Sequence, residues 1–288
     1  MFTFADKTTI YYSIMKTKKW MMVLATMLVA AFSCGTKAEA QKVLVLYYSQ
    51  TSNTKTVAQE IAKRLGCDIQ EIVPEKPYDG DFQATINRSM QERQQGIKTA
   101  LKPIKADLKK YDVIFIGYPI WFGTYAPPIA AFLEKVDLSG KKVVPFCTFG
   151  SGGLDTSVKD LAKSQPKANI LPGYGVRAAR MAAVPQEVDQ FLKAGGFIKG
   201  KYTPLPAFPA QHAVNDAESA IFDAAVKDYQ MIRAKAKSVA IRDIPNGKEY
   251  LFTAVDQGRG GGPQPAGEMK VYVTVLKGEA PVFTQVVR

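Results

Sequence analysis

Val43-Leu44-Val45-Leu46 is an unbroken apolar run of strand length, and it leads into the polar stretch Ser49-Gln50-Thr51-Ser52-Asn53-Thr54. Val57, Ala58, Ile61, Ala62 and Leu65 then recur at helical spacing, so a strand buried on both faces hands over to a helix through a hydroxyl-rich loop. The alternation continues. Strands are predicted at Asp68–Val73, Asp112–Gly117 and Lys142–Thr148, with a final interrupted one at Asn169–Val176. Helices are predicted at Phe82–Gln95, Pro127–Val136, Leu154–Lys163 and Pro185–Lys193. Such βα units predict an α/β fold, a doubly wound five-stranded parallel sheet with helices on both faces.

Beyond about residue 200 the pattern changes. Lys201–Gln211 holds three prolines and reads as a semi-rigid linker. Asn215 with Glu218 suits a capping box, and Val214, Ala217, Ile221, Ala225, Tyr229 and Ile232 mark one helical face. Alternating strands follow at Tyr250–Val255, Met269–Leu276 and Val282–Val287, with a short one at Ser238–Arg242; Lys277-Gly278-Glu279 signals a hairpin. The expectation is a small α+β domain, a helix on an antiparallel sheet, over residues 213–288, following a first domain over 41–200 and the linker at 201–212. Gly258–Gly267 reads as a loop. His212, the lone histidine of the chain, has no Cys, Asp or second His around it, which argues against a metal role.

Residues 1–40 read as an export leader. Lys16, Lys18 and Lys19 precede the apolar stretch Trp20–Phe32, too short to span a bilayer comfortably, and Met15 begins a leader of ordinary form. Two processing sites remain open. Ala31-Phe32-Ser33-Cys34-Gly35 loosely matches a bacterial lipoprotein site, which would put a lipid on Cys34; Ala38-Glu39-Ala40 suits ordinary signal peptidase. Either way the chain is expected in a bacterial cell envelope, free in the periplasm or touching a membrane only through the Cys34 anchor.

Of the net charge of +12, the four lysines up to residue 33 less Asp6 make +3, leaving +9 for the exported chain. A basic surface suits an acidic redox partner or, equally, a solvated helix face. No basic stripe interleaved with aromatics is present, so nucleic acid is set aside.

The chemistry is expected at the carboxyl ends of the strands. A hydroxyl-rich loop at a helix N-terminus offers backbone N–H groups, the positive end of the dipole and the hydroxyls of Ser49, Thr51, Ser52 and Thr54, which together suit a phosphate. The other two loops at that edge, Tyr118–Tyr125 (YPIWFGTY) and Phe149–Gly153 (FGSGG), carry no charge.

The pattern S-x-T-x-N-T resembles the FMN-phosphate loop of the flavodoxin family, although that family usually has Gly at the position of Ser52. Gly117–Gly123 followed by Pro127-Pro128, and Pro145-Phe146-Cys147-Thr148 with its following glycines, resemble the flavin-ring loops of a bacterial flavodoxin subfamily. The resemblance covers about Gln41–Lys199. It implies strand order 2-1-3-4-5 and FMN as cofactor, the phosphate held by Ser49, Thr51, Ser52, Asn53 and Thr54. The ring would meet Pro119, Ile120, Trp121, Phe122 and Gly123 on one side, with Trp121 as stacking platform, and Thr148, Phe149, Gly150, Gly152 and Gly153 on the other. Uncharged loops favour a low reduction potential unless Arg177 or Arg180 reaches the flavin. In that order Cys67 and Cys147 lie three strand spacings apart, roughly 14 Å and twice the reach of a disulfide. No catalytic or metal-ligating residue stands out.

The leading expectation is an electron-transferring FMN protein. A nicotinamide-dependent quinone or nitro-compound reductase of the same fold is the alternative, and a binding module with a degenerate flavin site, hinted at by Ser52, is a third.

Overall fold

A computed structural model describes residues 41–78, 81–229, 232–257 and 267–288. The expectations for the leader, Cys34 and Ala38–Ala40 included, and for most of the loop Gly258–Gly267 lie outside the described residues.

Leu44, Val45 and Leu46 have no solvent exposure, which fixes β1 (Val43–Tyr47) inside the sheet. It pairs in parallel with β2 (Asp68–Glu71) on one side and β3 (Val113–Trp121) on the other. β3 pairs with β5 (Lys142–Phe149), which pairs in turn with β6 (Asn169–Ile170) and β7 (Tyr174–Arg177). Counting β6 and β7 as one interrupted strand, the order is the expected 2-1-3-4-5. The interruption falls at Pro172-Gly173, where proline has no N–H for a ladder.

Helices cover both faces. α1 (Asn53–Leu65) and α5 (Val184–Ala194) bring Val57, Ile61, Val188 and Leu192 against Val45, Phe115 and Val144. On the other face α3 (Pro127–Leu133) and α4 (Leu154–Ser164) bring Ile129, Phe132 and Leu161 against Leu44, Ile114 and Val143. α2 (Phe82–Gln95) buries Thr85, Ser89 and Glu92 instead of an apolar stripe. Among the described residues both cysteines are free, Cys147 fully buried and Cys67 half-buried with its thiol pushed up to about 11 by burial.

One boundary differs in a way that bears on function. Tyr118–Tyr125 was expected to be a loop, yet β3 runs on to Trp121 because Tyr118 and Pro119 continue the ladder opposite Cys147 and Thr148. The chain then folds back into β4 (Thr124–Tyr125), with Trp121 opposite Thr124.

The C-terminal sheet has five strands in the order β12-β11-β10-β9-β8, where three or four were expected. They are β8 (His212–Ala213), β9 (Ala234–Ile244), β10 (Gly247–Asp256), β11 (Glu268–Leu276) and β12 (Val282–Val287). β9 is far longer than Ser238–Arg242, since its ladder with β10 begins at Ala234, in an Ala/Lys-rich stretch with little strand propensity of its own. α6 (Asp216–Val226) carries the expected capping box and lies on the sheet through Phe222. The helix stops at Val226, so Tyr229 and Ile232 reach the same core from the chain beyond it. The linker is bound at its far end: Pro206 O accepts from Arg242 Nη1 at 2.9 Å and Phe208 packs edge-on to Tyr272.

Candidate functional site

At the carboxyl end of β1 the chain enters α1 without a side-chain cap, through Ser52 at φ 65°. A serine thus takes the left-handed conformation that favours glycine, consistent with Gly being usual there in the family it resembles. Ser49 Oγ accepts from Lys55 N at 3.2 Å, and Asn53 Nδ2 donates to Thr51 Oγ1 at 3.5 Å. The Thr51 and Ser52 side chains are exposed. Thr54 turns inward, its Oγ1 at 2.8 Å from Thr148 Oγ1, with both residues buried. This hydroxyl pair ties the first loop to the end of β5. The open helix end, with no acidic residue in its first turn, offers N–H groups and hydroxyls to an anion.

The second segment is a hairpin whose two turn residues, Phe122 and Gly123, have φ of 51° and 82°. Two positive φ values make the turn that matches strand twist, a position where Asn-Gly is usual and Phe is strained. The strain presents an aromatic ring, 46 % exposed, at the hairpin tip. Trp121 is less free than a platform assigned from sequence would be. Its ring stands edge-on to Tyr78 (centroids 5.1 Å, 81°) and Tyr48 (5.9 Å, 86°). Behind it Tyr78 Oη donates to Glu92 Oε2, Arg88 pairs with Glu92 at 2.9 Å, and burial beside that carboxylate raises the pKa of Tyr78.

The third loop meets the C-terminal sheet. Val286 N in β12 donates to Ser151 O at 2.6 Å. Arg177, at the end of β7, donates from Nε to Gly150 O and from Nη1 to Phe283 O, both at 2.8 Å, with its guanidinium 3.4 Å from the Phe283 ring centroid. A Cβ on Gly152 would lie 2.3 Å from Val286 O, so glycine there admits the strand. Arg177 therefore serves this contact, and Arg180 is paired with Glu187 at 2.5 Å.

A cleft of about 560 Å³ opens between the hairpin, this loop and the C-terminal sheet. Of the residues expected from sequence, Ile120, Phe122, Gly123, Gly150, Gly152 and Gly153 line it, joined by Tyr229 and by Gln285–Arg288. Trp121 lines a separate cavity on the other side of the hairpin. Thr148 and Phe149 are buried beneath the loop, and Pro119 lies within β3. Ser49–Thr54 are not part of the cleft wall.

Sequence reading missed Tyr48, Tyr78, Tyr229 and Val286. A tyrosine directly after an apolar strand run was a readable signal for Tyr48; the others come from distant elements that carry no local mark. Among the described residues no group of His, Cys, Asp and Glu could hold a metal ion, and His212 Nε2 instead lies 2.8 Å from Glu218 Oε1.

The chain is similar to a candidate flavoprotein from Bacteroides eggerthii at 32% identity, over 54% of this chain and 97% of that one, with a TM-score of 0.48. Another from Bacteroides uniformis has 32% identity over 52% and 99%, TM-score 0.47. A flavoprotein from Lactobacillus acidophilus in complex with FMN has 25% identity over 47% and 93%, TM-score 0.43. The flavodoxin family model matches residues 42–189, which span β1 through most of α5 and all three loops just described; the chain belongs to the flavodoxin family.

Proposed function

We propose that this protein binds FMN and passes electrons through it. The observation that carries the reading is the uncapped start of α1 at Ser52, tied by the Thr54–Thr148 hydroxyl pair to the strand that ends in the Gly150–Gly153 loop. Ser49, Thr51, Ser52, Asn53 and the first N–H groups of α1 would hold the phosphate. Ile120, Phe122, Gly123 and the glycine loop would flank the ring. When bound, FMN supplies one- or two-electron redox chemistry. The protein's own contribution is to hold it in uncharged loops, with Arg177 and Arg180 engaged elsewhere.

Titrating the purified protein with FMN tests this. Saturable binding should quench flavin fluorescence and raise the melting temperature in line with RT ln(1 + [L]/Kd); a melting temperature indifferent to FMN would overturn it.

A second reading, a nicotinamide-dependent FMN reductase of quinones or nitro compounds, is favoured by the walls of the cleft. The C-terminal sheet bounds the loops on one side, leaving a recess of small-molecule size. Anaerobic reduction by NADH or NADPH followed by turnover of a quinone separates the two readings.

The leader extends the proposal to export, with either a lipid at Cys34 or release after Ala40; mass spectrometry of the mature N-terminus distinguishes them. For the electron-carrier reading the partner is an acidic redox protein drawn to the basic surface, and its association rate should fall steeply with salt.

A further inference from the structure

The glycine loop after β5 is gripped by two of its carbonyls. Gly150 O accepts from Arg177 Nε at 2.8 Å, and Ser151 O accepts from Val286 N at 2.6 Å. Both donors belong to the contact with the C-terminal sheet. Val286 lies in β12, and Arg177 also donates to Phe283 O and covers the Phe283 ring. Residues 150–153 lie outside helix and strand, so no ladder of the first sheet sets these peptides.

A trans peptide points its C=O and the following N–H in opposite directions, and among the described residues no peptide bond is cis. Anchoring Gly150 O therefore turns the Ser151 N–H away from Arg177, and anchoring Ser151 O turns the Gly152 N–H away from β12. Neither amide has an acceptor among the described residues. Ser151 and Gly152 both line the cleft, together with Phe122 and Gly123 of the hairpin. Oriented donors without acceptors suit the carbonyl oxygens of a ligand.

We propose that the C-terminal domain completes the flavin site of the first, with Arg177 as the positioning residue. Together with Val286, Arg177 holds the glycine loop so that the Ser151 and Gly152 amides can donate to the oxygens of the flavin ring. The proposal rests on the FMN reading above and gives residues 213–288 a role in it. A loop fixed in advance need not be ordered when the ring binds, and that saved cost appears as affinity. By linkage, FMN must strengthen the docking of the sheet by the same factor.

The full chain and its variants are titrated by fluorescence quenching with FMN and with riboflavin, which has the same ring and no phosphate. Arg177→Ala should weaken both about tenfold, a factor one charge-assisted hydrogen bond can supply. Arg177→Lys keeps the charge but cannot fork to two carbonyls, so it should recover part of the loss; it also serves if the alanine variant does not fold. Hydrogen exchange at the Val286 amide gives the reciprocal readout. Saturating FMN should slow it by up to about tenfold in the native chain and not in Arg177→Ala. A merely structural Arg177 would lower the melting temperature on substitution while leaving both affinities and the FMN-dependent slowing intact, and that result would overturn the proposal. So would tighter binding by Arg177→Ala, which would make the docked sheet an obstruction, or a loss seen with FMN but not riboflavin, which would place the effect at the phosphate. If the native chain binds neither flavin, the FMN reading fails and takes this inference with it. Native binding matched by Arg177→Ala removes this inference alone.

Discussion

The amide of Val286 donates to the carbonyl of Ser151 at 2.6 Å, joining the outer edge of β12 to the glycine loop at the end of β5. β12 is an edge strand, and an edge presents unpaired N–H groups that a protein must cover or blunt. Here one of them is satisfied by a loop of the other sheet. Gly152→Ala tests the joint, because its methyl would meet Val286 O at 2.3 Å while the loop itself has room for it away from the strand. We expect a loss of about 1–3 kcal/mol and faster tryptic cleavage at Lys199 and Lys201, read by urea unfolding and limited proteolysis. Unchanged stability and cleavage would mean that the two sheets are not clamped at this point.

Phe122 holds a left-handed conformation at the hairpin tip with its ring exposed. Replacing it by glycine relieves a backbone cost of about 1–2 kcal/mol and adds some unfolded-state entropy. Phe122→Gly should therefore raise the urea midpoint, by about 1 kcal/mol or less, while weakening FMN by about 0.5–1.5 kcal/mol through the lost aromatic contact. A drop in stability would show that the ring is held by packing and not merely presented.

Trp121 stands edge-on to both Tyr78 and Tyr48, so its truncation touches more than a cofactor platform. Trp121→Ala should cost about 2–4 kcal/mol of stability, and Trp121→Phe clearly less, as measured by chemical denaturation without FMN. Equal stability of Trp121→Ala and the native chain would leave the three-ring cluster without an energetic role.

Glu218 accepts from Asn215 N and lies beside His212, and these contacts, the Asn215 amide first, hold its carboxyl below the usual value of 4.5. A depressed acid contributes stability that is fully present above its unfolded pKa and is lost as pH falls through the folded one. The C-terminal domain should thus weaken as the solution is acidified below pH 4.5. Glu218→Gln preserves a capping partner but cannot titrate, so its acid limb should be flatter in far-UV melts taken from about pH 6 to about pH 3. Parallel limbs for both chains would exclude this carboxylate as the source.

The site was legible in sequence where its determinants are local. Ser49–Thr54 follow an apolar run and precede a helical period, and both neighbours fix the loop without reference to anything distant. Trp121 and Phe122 were legible as residue types at a strand end but not in how their rings are packed. Which ring is packed and which is exposed depends on Tyr48 and Tyr78 arriving from other elements, and on a two-residue turn set by cross-strand pairing. Arg177 shows the same limit: a cation at the end of the last strand had several places to go, and a carbonyl more than a hundred residues away in β12 decided among them.

For this protein, the apolar pattern by itself determined the parallel sheet, its helices and the position of the hydroxyl-rich loop, because a strand buried on both faces is written as an unbroken apolar run and a helix face as an apolar residue every three to four positions, while the strand order was implied by the family resemblance. Tertiary structure alone decided that β3 extends into a hairpin, that an Ala/Lys-rich segment becomes the long β9, and that the glycines of the third loop receive a strand as well as flanking a cleft. Those outcomes rest on hydrogen bonds and contacts between segments far apart in the chain, and no local pattern encodes which distant partner a backbone amide or a missing side chain will meet.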